Sequence, residues 1–131
     1  CIFCKIVEGS MPCYKIYETD NVMAFLDISQ NTKGHTLVIP KKHIESIFDL
    51  DDQTGRDLFE AVIKTTNILK NKLGFKDVNL LNNNGSLAGQ VVNHYHIHII
   101  PRYGNDECYF KESPHEPNFE ELASLHKQIT E

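Results

Sequence analysis

The sequence predicts an α+β fold with a five-stranded, mainly antiparallel sheet, one long helix, a short N-terminal helix and a C-terminal helical tail. Segments with strand character and segments with helical character do not alternate regularly, as they would in a parallel α/β sheet. The first two predicted strands, residues 14–18 and 22–27, are separated by a short Thr-Asp-Asn turn that is typical of an antiparallel hairpin. At 131 residues the chain suits one domain, and we expect its core over about residues 1–103 and an extension over about residues 104–131.

The other predicted strands follow from short apolar runs. A third strand covers residues 35–40 and ends at a proline, which cannot donate a ladder hydrogen bond. A fourth covers residues 78–82, and a fifth covers residues 94–103. Runs of turn-forming residues separate these segments.

Two short helices are predicted at the ends of the chain. Residues 2–7 place apolar side chains at helical spacing and are followed by Gly9, which gives a short opening helix. Near the other end, Asn118 and Glu121 have the spacing of a capping box and precede a final apolar stripe.

The long helix is predicted over residues 51–73. Its apolar stripe includes Phe59 and Ile63, which we expect in the core. Gly74 stands where a helix typically ends in a left-handed residue.

Composition excludes several classes of function. The net charge is −5 and the lysines are dispersed except for Lys41 and Lys42, which argues against a nucleic-acid partner. No apolar run approaches the roughly 20 residues that span a bilayer, so we expect no membrane partner. Nothing resembles a signal peptide, and a cytoplasmic protein is expected.

The most informative stretch carries His94, His96 and His98 at alternate positions, with Tyr95, Ile97 and Ile99 between them. This period of two predicts a half-buried strand with one imidazole face and one apolar face. A rise of about 3.3 Å per residue separates the first and last of these histidines by roughly 13 Å. One metal ion, which binds nitrogen at about 2 Å, could not easily hold all three. We therefore expect a division of tasks: two adjacent histidines share a metal ion, or one is a ligand while another does chemistry. The alternative is a surface strand that simply carries histidine.

A glycine-containing loop, residues 85–90, leads into these histidines. Glycines let backbone N–H groups converge on an anion, although such a loop alone is ordinary. A neutral imidazole beside an anion site can attack phosphorus and form a covalent intermediate. A second histidine can protonate the leaving group, and His98 fits that role by position.

The chain also contains a Cys-x-x-Cys pair, Cys1 and Cys4. Outside the secretory pathway this pattern indicates metal binding or redox activity, but it is a weak motif alone. The alternative is two small buried thiols. Cys13 and Cys108 receive no role.

Four motifs taken together resemble the histidine triad (HIT) superfamily. The motifs are Lys5-x-x-x-Gly9, the segment 34–43, Asn83-x-Gly85-x-x-x-Gly89-Gln90, and His94-x-His96-x-His98-Ile99-Ile100. The resemblance covers nearly all of the predicted core. It is greatest to the Hint branch of nucleoside phosphoramidases and adenylyl hydrolases, in its bacterial, zinc-containing form.

This resemblance implies a nucleotide hydrolase that cleaves the α-phosphate bond of purine nucleoside conjugates through a nucleotidyl-histidine intermediate. It implies that His96 is the nucleophile, that His98 lies near the phosphate and that His35 assists. Further substrate-binding residues are implied: Asp27 at the ribose, Phe3, Ile6, Phe25, Ile28 and Leu37 at the base, and Asn83, Gly89, Gln90 and Val91 at the phosphate or leaving group. Val91 stands where phosphoramidases of this branch often carry serine, so a phosphoramidate is not the only substrate to consider.

Relatives of the bacterial type also imply a structural zinc ion held by Cys1, Cys4, His43 and His94. They imply a homodimer whose sheets join across the main helix and an edge strand. Two functions remain as alternatives to the phosphoramidase: a dinucleoside polyphosphate hydrolase and a catalytically weak nucleotide-binding or regulatory protein. A redox protein that uses the paired cysteines is a further alternative.

Overall fold

The computed structural model describes residues 1–106 and 108–131, and these residues form a five-stranded antiparallel sheet in the order β1-β2-β3-β5-β4. The strands are β1 Lys15–Glu18, β2 Val22–Leu26, β3 Thr36–Pro40, β4 Asp77–Leu81 and β5 Ile97–Arg102. The helices are α1 Ile2–Glu8, α2 Asp52–Leu73 and α3 Phe119–Thr130, with short 3₁₀ turns at Ile47–Asp49 and Ser86–Ala88. The predicted α+β class is confirmed, including the helical tail.

The two faces of the sheet have different partners. Ala24, Val38 and Ile99 face α2, where they join the larger of two apolar clusters. Phe25 and Leu37 belong to a second cluster on the other face, together with Phe3 of α1. Neighbouring residues of a strand point to opposite faces, so this division follows directly from the alternation of the sequence.

Local signals set the ends of α2. The side chain of Asp51 accepts a hydrogen bond from the Thr54 N–H at 2.8 Å, and Gly74 ends the helix with φ +76°. Phe59 and Ile63 were expected in the core, and this prediction is wrong: their side chains are 54% and 51% exposed. The buried stripe is formed by Leu58, Ala61, Val62, Thr65 and Leu69. Phe59 and Ile63 each follow a buried residue, which places them about 100° around the helix on its flank.

The fifth strand begins at Ile97, three residues later than predicted. The ladder with β3 pairs Val38 with Ile97 and does not extend to His94. Before the strand, the chain is held by different bonds: the Tyr95 N–H donates to the Ile44 carbonyl at 2.6 Å. The alternation of faces persists nevertheless, because Tyr95, Ile97 and Ile99 all contact the cluster beneath α2.

The C-terminal helix begins as the capping pattern predicts, with the Glu121 N–H donating to the Asn118 side chain at 3.1 Å. In the part of the chain that the structure describes, no helix has both the length and the apolar character needed to cross a bilayer.

Gly34 offers a test of how tightly the loop before β3 packs on α2. A Cβ atom there would lie 2.6 Å from Leu73 Cδ1, and φ is +94°. We expect Gly34→Ala to lower the free energy of unfolding by about 2–4 kcal/mol, since both backbone strain and overpacking contribute. Gly74→Ala is the matched control, because Gly74 has φ +76° and open space around it. It should cost only about 1 kcal/mol, since backbone strain alone contributes. If urea unfolding gave the same loss for both variants, the packing around Gly34 would relax freely.

Candidate functional site

His35 and His98 are paired at the centre of the site. His35 directly precedes β3 and His98 lies in β5, and the register of these strands brings His35 Nε2 within 2.9 Å of His98 Nδ1. The Asn31 N–H donates to His35 Nδ1 at 3.2 Å. That nitrogen must therefore carry a lone pair, so neutral His35 has its proton on Nε2 and donates it to His98 Nδ1. The proton of neutral His98 is consequently on Nε2.

His96 is the opposite tautomer to His35 and His98. Its Nδ1 lies 2.7 Å from the backbone carbonyl of His94, and a carbonyl can only accept, so Nδ1 carries the proton. The lone pair of neutral His96 is then on Nε2, the nitrogen that would act as a nucleophile. Asn82 fixes the following peptide by donating to the His96 carbonyl at 2.9 Å.

The protonation states suit this chemistry. Burial, together with the neighbouring His96 and His35 rings, lowers the pKa of His98 to about 4. Burial also lowers the pKa of His35, although the Asp27 carboxylate opposes this effect. Burial raises the pKa of Asp27, but hydrogen bonds from Ser29 outweigh it and leave the pKa below its usual value. At neutral pH the two histidines are therefore neutral and Asp27 is ionised.

Asp27, His35 and His98 place ligand atoms within 4.8 Å of one another, as a metal site would. The tautomer of His35 argues against that use. A metal bound at His35 Nε2 would require a proton on Nδ1, where the Asn31 N–H already donates. This group is better suited to moving a proton than to holding an ion.

A second cluster joins the N-terminus to the triad. Cys1, Cys4, His43 and His94 place their ligand atoms within 4.8 Å of one another. His94 Nδ1 lies 3.3 Å from Cys1 Sγ and 3.6 Å from Cys4 Sγ. The Cys4 Sγ to His43 Nδ1 distance is 3.3 Å. A tetrahedral ion with bonds of about 2.3 Å to sulfur and 2.0–2.1 Å to nitrogen requires separations of about 3.5 Å, so these residues could hold such an ion.

The orientation of His94 supports a metal-binding role. Its Nε2 lies 2.7 Å from the Pro40 carbonyl, which fixes the proton on Nε2 and leaves Nδ1 free to face the thiols. Burial lowers the pKa of His94, so that the ring is neutral as a ligand must be. All four predicted metal ligands are thus brought together.

An apolar cavity of about 310 Å³ lies beside the triad. All the residues expected at the base line it, namely Phe3, Ile6, Phe25, Ile28 and Leu37, and Asp27 lies at its wall. Phe3 connects the cavity to the triad, since its ring centroid lies 5.3 Å from that of His96 and 5.6 Å from that of Phe25.

The residues expected at the phosphate lie in a loop that is held by hydrogen bonds within the loop and by one to Glu45. The Gln90 side chain accepts from the Gly85 N–H at 2.8 Å and donates to the Glu45 carbonyl at 2.7 Å. Asn83 reaches the Gly89 carbonyl at 3.5 Å, while Val91 is exposed. The loop therefore has a fixed shape, and contact of these four residues with a phosphate stays a prediction.

Sequence reasoning missed several residues of the site. Pro40, Asn82 and Asn31 act through backbone groups or a single amide, which leaves no signal in the sequence. Met11 and Pro12 line the apolar cavity. Their position directly after α1, which carries Phe3, is the one feature that could have indicated them.

The chain matches known proteins over most of its length. The HIT domain model matches residues 8–105. Protein hit of Bacillus subtilis is 53% identical over 109 residues, which cover 83% of this chain and 75% of that protein. The adenosine 5'-monophosphoramidase of Schizosaccharomyces pombe is 47% identical over 102 residues, which cover 78% of this chain and 74% of that enzyme.

Solved structures give the same result. A HIT-family protein from Bacillus subtilis superposes with a TM-score of 0.94 at 47% identity, over 98% of this chain and 94% of that chain. A Zn-bound histidine triad protein from Mycobacterium smegmatis gives a TM-score of 0.79 at 34% identity, over 98% and 96% of the two chains. With three histidines at alternate positions and these matches over fold and sequence alike, the chain belongs to the HIT family.

Proposed function

We propose that this protein hydrolyses the α-phosphate bond of purine nucleoside conjugates, of the phosphoramidate or adenylyl type, through a nucleotidyl-histidine intermediate. The observation that carries the proposal is the hydrogen bond of 2.7 Å from His96 Nδ1 to the His94 carbonyl. It directs the His96 lone pair away from the backbone. It also stabilises the positive charge that the ring acquires when Nε2 forms a bond.

The reaction has two steps. In the first, the His96 Nε2 lone pair attacks phosphorus, the bond from phosphorus to the leaving group breaks, and the leaving atom takes the departing electron pair and a proton. In the second, water attacks phosphorus and gives one proton to His98 Nε2, which lost its proton in the first step, while the bond from phosphorus to His96 breaks and nucleoside monophosphate leaves. His98 is the proposed proton donor for the first step because its neutral ring carries its proton on Nε2. His35 assists by donating to the other nitrogen of that ring.

The nucleoside is proposed to bind with its base in the apolar cavity. The rings of Phe3 and Phe25 and the side chains of Ile6, Ile28 and Leu37 supply an apolar wall of the size that a purine requires. The ionised Asp27 carboxylate at the edge of this cavity can accept from the ribose hydroxyls. Asn83, Gly89, Gln90 and Val91 remain the proposed contacts of the phosphate or leaving group.

Zinc is the proposed ion of the Cys1, Cys4, His43 and His94 cluster, because two thiols and two imidazoles match its preferred ligands. With four protein ligands it would be structural. Its chemistry is to hold the thiolates and rings together, and catalysis belongs to the histidines. Thiolate ligands persist in reducing compartments, so a cytoplasmic location forms part of the same proposal.

A homodimer is also proposed. Phe59 and Ile63 form an exposed apolar surface on α2, and β4 is an edge strand whose Leu80 side chain is 47% exposed. An open strand edge and an exposed apolar helix face are each typical sites of association.

Replacing the nucleophile tests the proposed function. We expect His96→Ala to reduce hydrolysis of adenosine 5'-phosphoramidate by at least about 10³-fold, since the lone pair of His94 faces the thiols and that of His98 faces His35. Intact-mass spectrometry of acid-free quenched reactions should detect a nucleotidyl adduct on the wild type alone. His115→Ala, in the exposed tail, is the control and should retain full activity. Undiminished turnover by His96→Ala would refute the mechanism, and a preference for diadenosine polyphosphate would favour the alternative substrate.

Removing a thiolate tests the metal site. The wild type should retain one zinc ion per chain after dialysis, and Cys4→Ser should lose it. Activity should fall about 10- to 100-fold, because the ion orients His94 and through it His96. Cys108→Ser should keep its zinc, since Cys108 lies outside the cluster. If metal analysis found no zinc in the wild type, the assignment would be contradicted.

Sedimentation tests the dimer. The wild type should have the mass of two chains, and Ile63→Glu should convert it to single chains because a charge cannot be buried there without a partner. Ile28 is 90% exposed at the mouth of the cavity, so Ile28→Glu is a control of similar chemistry that should leave the dimer intact. A wild type that sediments as one chain would exclude the interface.

A further inference from the structure

The loop between β2 and β3 is folded around one side-chain amide, that of Gln30. Its Nε2 donates to the Asp27 carbonyl at 2.6 Å and to the His35 carbonyl at 2.7 Å. Its Oε1 accepts from the Gly34 N–H at 2.8 Å. Both N–H groups and the oxygen of the amide are thus used by the backbone of one short loop.

The backbone of Gln30 is unusual as well. Its φ of +38° is the one positive value at a non-glycine position among the residues that the structure describes. Glycine would adopt this conformation without strain, whereas a side chain with a Cβ does so at a cost. A glutamine at this position is therefore explained by what its amide does.

The loop acts directly on the paired histidines. Asn31, the next residue, donates its N–H to His35 Nδ1 at 3.2 Å. Because His35 Nδ1 accepts there, His35 Nε2 donates to His98 Nδ1 at 2.9 Å. The direction of this second hydrogen bond leaves the single proton of neutral His98 on Nε2.

We propose that Gln30 is a positioning residue that fixes the tautomer of His98: its amide holds the loop so that the Asn31 N–H meets His35, and His35 in turn keeps the His98 proton on Nε2. For its meaning in catalysis the inference rests on the proposed function, in which His98 Nε2 donates a proton. The tautomer itself is a property of the free protein.

The carboxylate of Asp27, the proposed ribose-binding residue, is held by hydrogen bonds that do not involve the Gln30 side chain. Ser29 donates to Asp27 Oδ1 from its N–H at 2.8 Å and from its hydroxyl at 2.6 Å. Loss of the Gln30 amide leaves these two bonds in place. We therefore expect the Gln30 variants to affect kcat much more than KM.

Two substitutions separate the amide from the backbone conformation. Gln30→Met keeps a side chain of similar length without the amide, and Gln30→Gly accepts the positive φ but also lacks the amide. Gln128→Met is the matched control, because Gln128 is exposed on α3. Retained zinc and a cooperative unfolding transition would establish that each variant is folded.

The primary readout is NMR of the imidazole nitrogens, which distinguishes a protonated nitrogen from one with a lone pair. Wild type and Gln128→Met should show His98 protonated on Nε2 alone. Both Gln30 variants should show His98 as a mixture of its two tautomers. With adenosine 5'-phosphoramidate, their kcat should fall roughly 10- to 100-fold, as for a displaced catalytic group, while KM changes less than about threefold.

Three results would overturn the inference. One is a wild-type His98 with its proton on Nδ1, which needs no variant to observe. Another is unchanged His98 nitrogen shifts in both Gln30 variants. The third is a Gln30→Gly variant with wild-type shifts and kcat, which would reduce Gln30 to a backbone role. If the wild type turned over no nucleoside conjugate, the proposed function would fail, whereas the tautomer measurements would still decide the role of Gln30.

Discussion

The site depends on three polar groups of one residue, His94. Its ring Nε2–H is bound to the Pro40 carbonyl, its ring Nδ1 faces the thiols of Cys1 and Cys4, and its backbone carbonyl accepts from His96. Because a single residue provides all three bonds, the position of β3, the Cys1, Cys4, His43 and His94 cluster and the orientation of the His96 ring are fixed together. A displacement of His94 could not leave any one of them unchanged.

The same principle extends to the other histidines of the site. His35, His94 and His96 each have one ring nitrogen bound to the main chain: to the Asn31 N–H, the Pro40 carbonyl and the His94 carbonyl. A backbone N–H or carbonyl has a fixed polarity, so each bond determines which nitrogen keeps the lone pair. Rings of one chemical type thereby suit different proposed functions: His94 that of a ligand, His96 that of a nucleophile and His35 that of a relay to His98.

Sequence patterns predicted those features that depend on local physics. The ends of α2 followed from a side-chain cap at Asp51 and a left-handed glycine, both of which act within one turn. The division of residues 95–99 into a histidine face and an apolar face followed from the period of a strand. The four residues that could hold a metal ion and the residues of the apolar cavity were also named in advance, but through resemblance to a family and not through spacing alone.

What was missed depends on contacts between distant parts of the chain. The start of β5 is set by bonds from His94 and Tyr95 to Pro40 and Ile44, some fifty positions earlier, and no local pattern reports them. Gln30 is not a residue type that favours positive φ, so its place in the loop is evident only from the three backbone groups around its amide. A residue whose side chain acts by binding backbone groups can be recognised only when the structure shows which backbone groups surround it.

Helix α1 links the two halves of the site. Cys1 caps its first turn by accepting from the Cys4 N–H at 3.4 Å, and residues three apart on a helix lie on one side, so both thiols reach the cluster. Phe3 lies between them in sequence, and its ring packs edge-to-face with those of His94 and His96 and with that of Phe25 in the cavity. Seven residues are too few for a helix to be stable in isolation. The cluster and the packing of Phe3 must therefore hold α1 in place, which makes the wall of the cavity and the support of His96 parts of one structural unit.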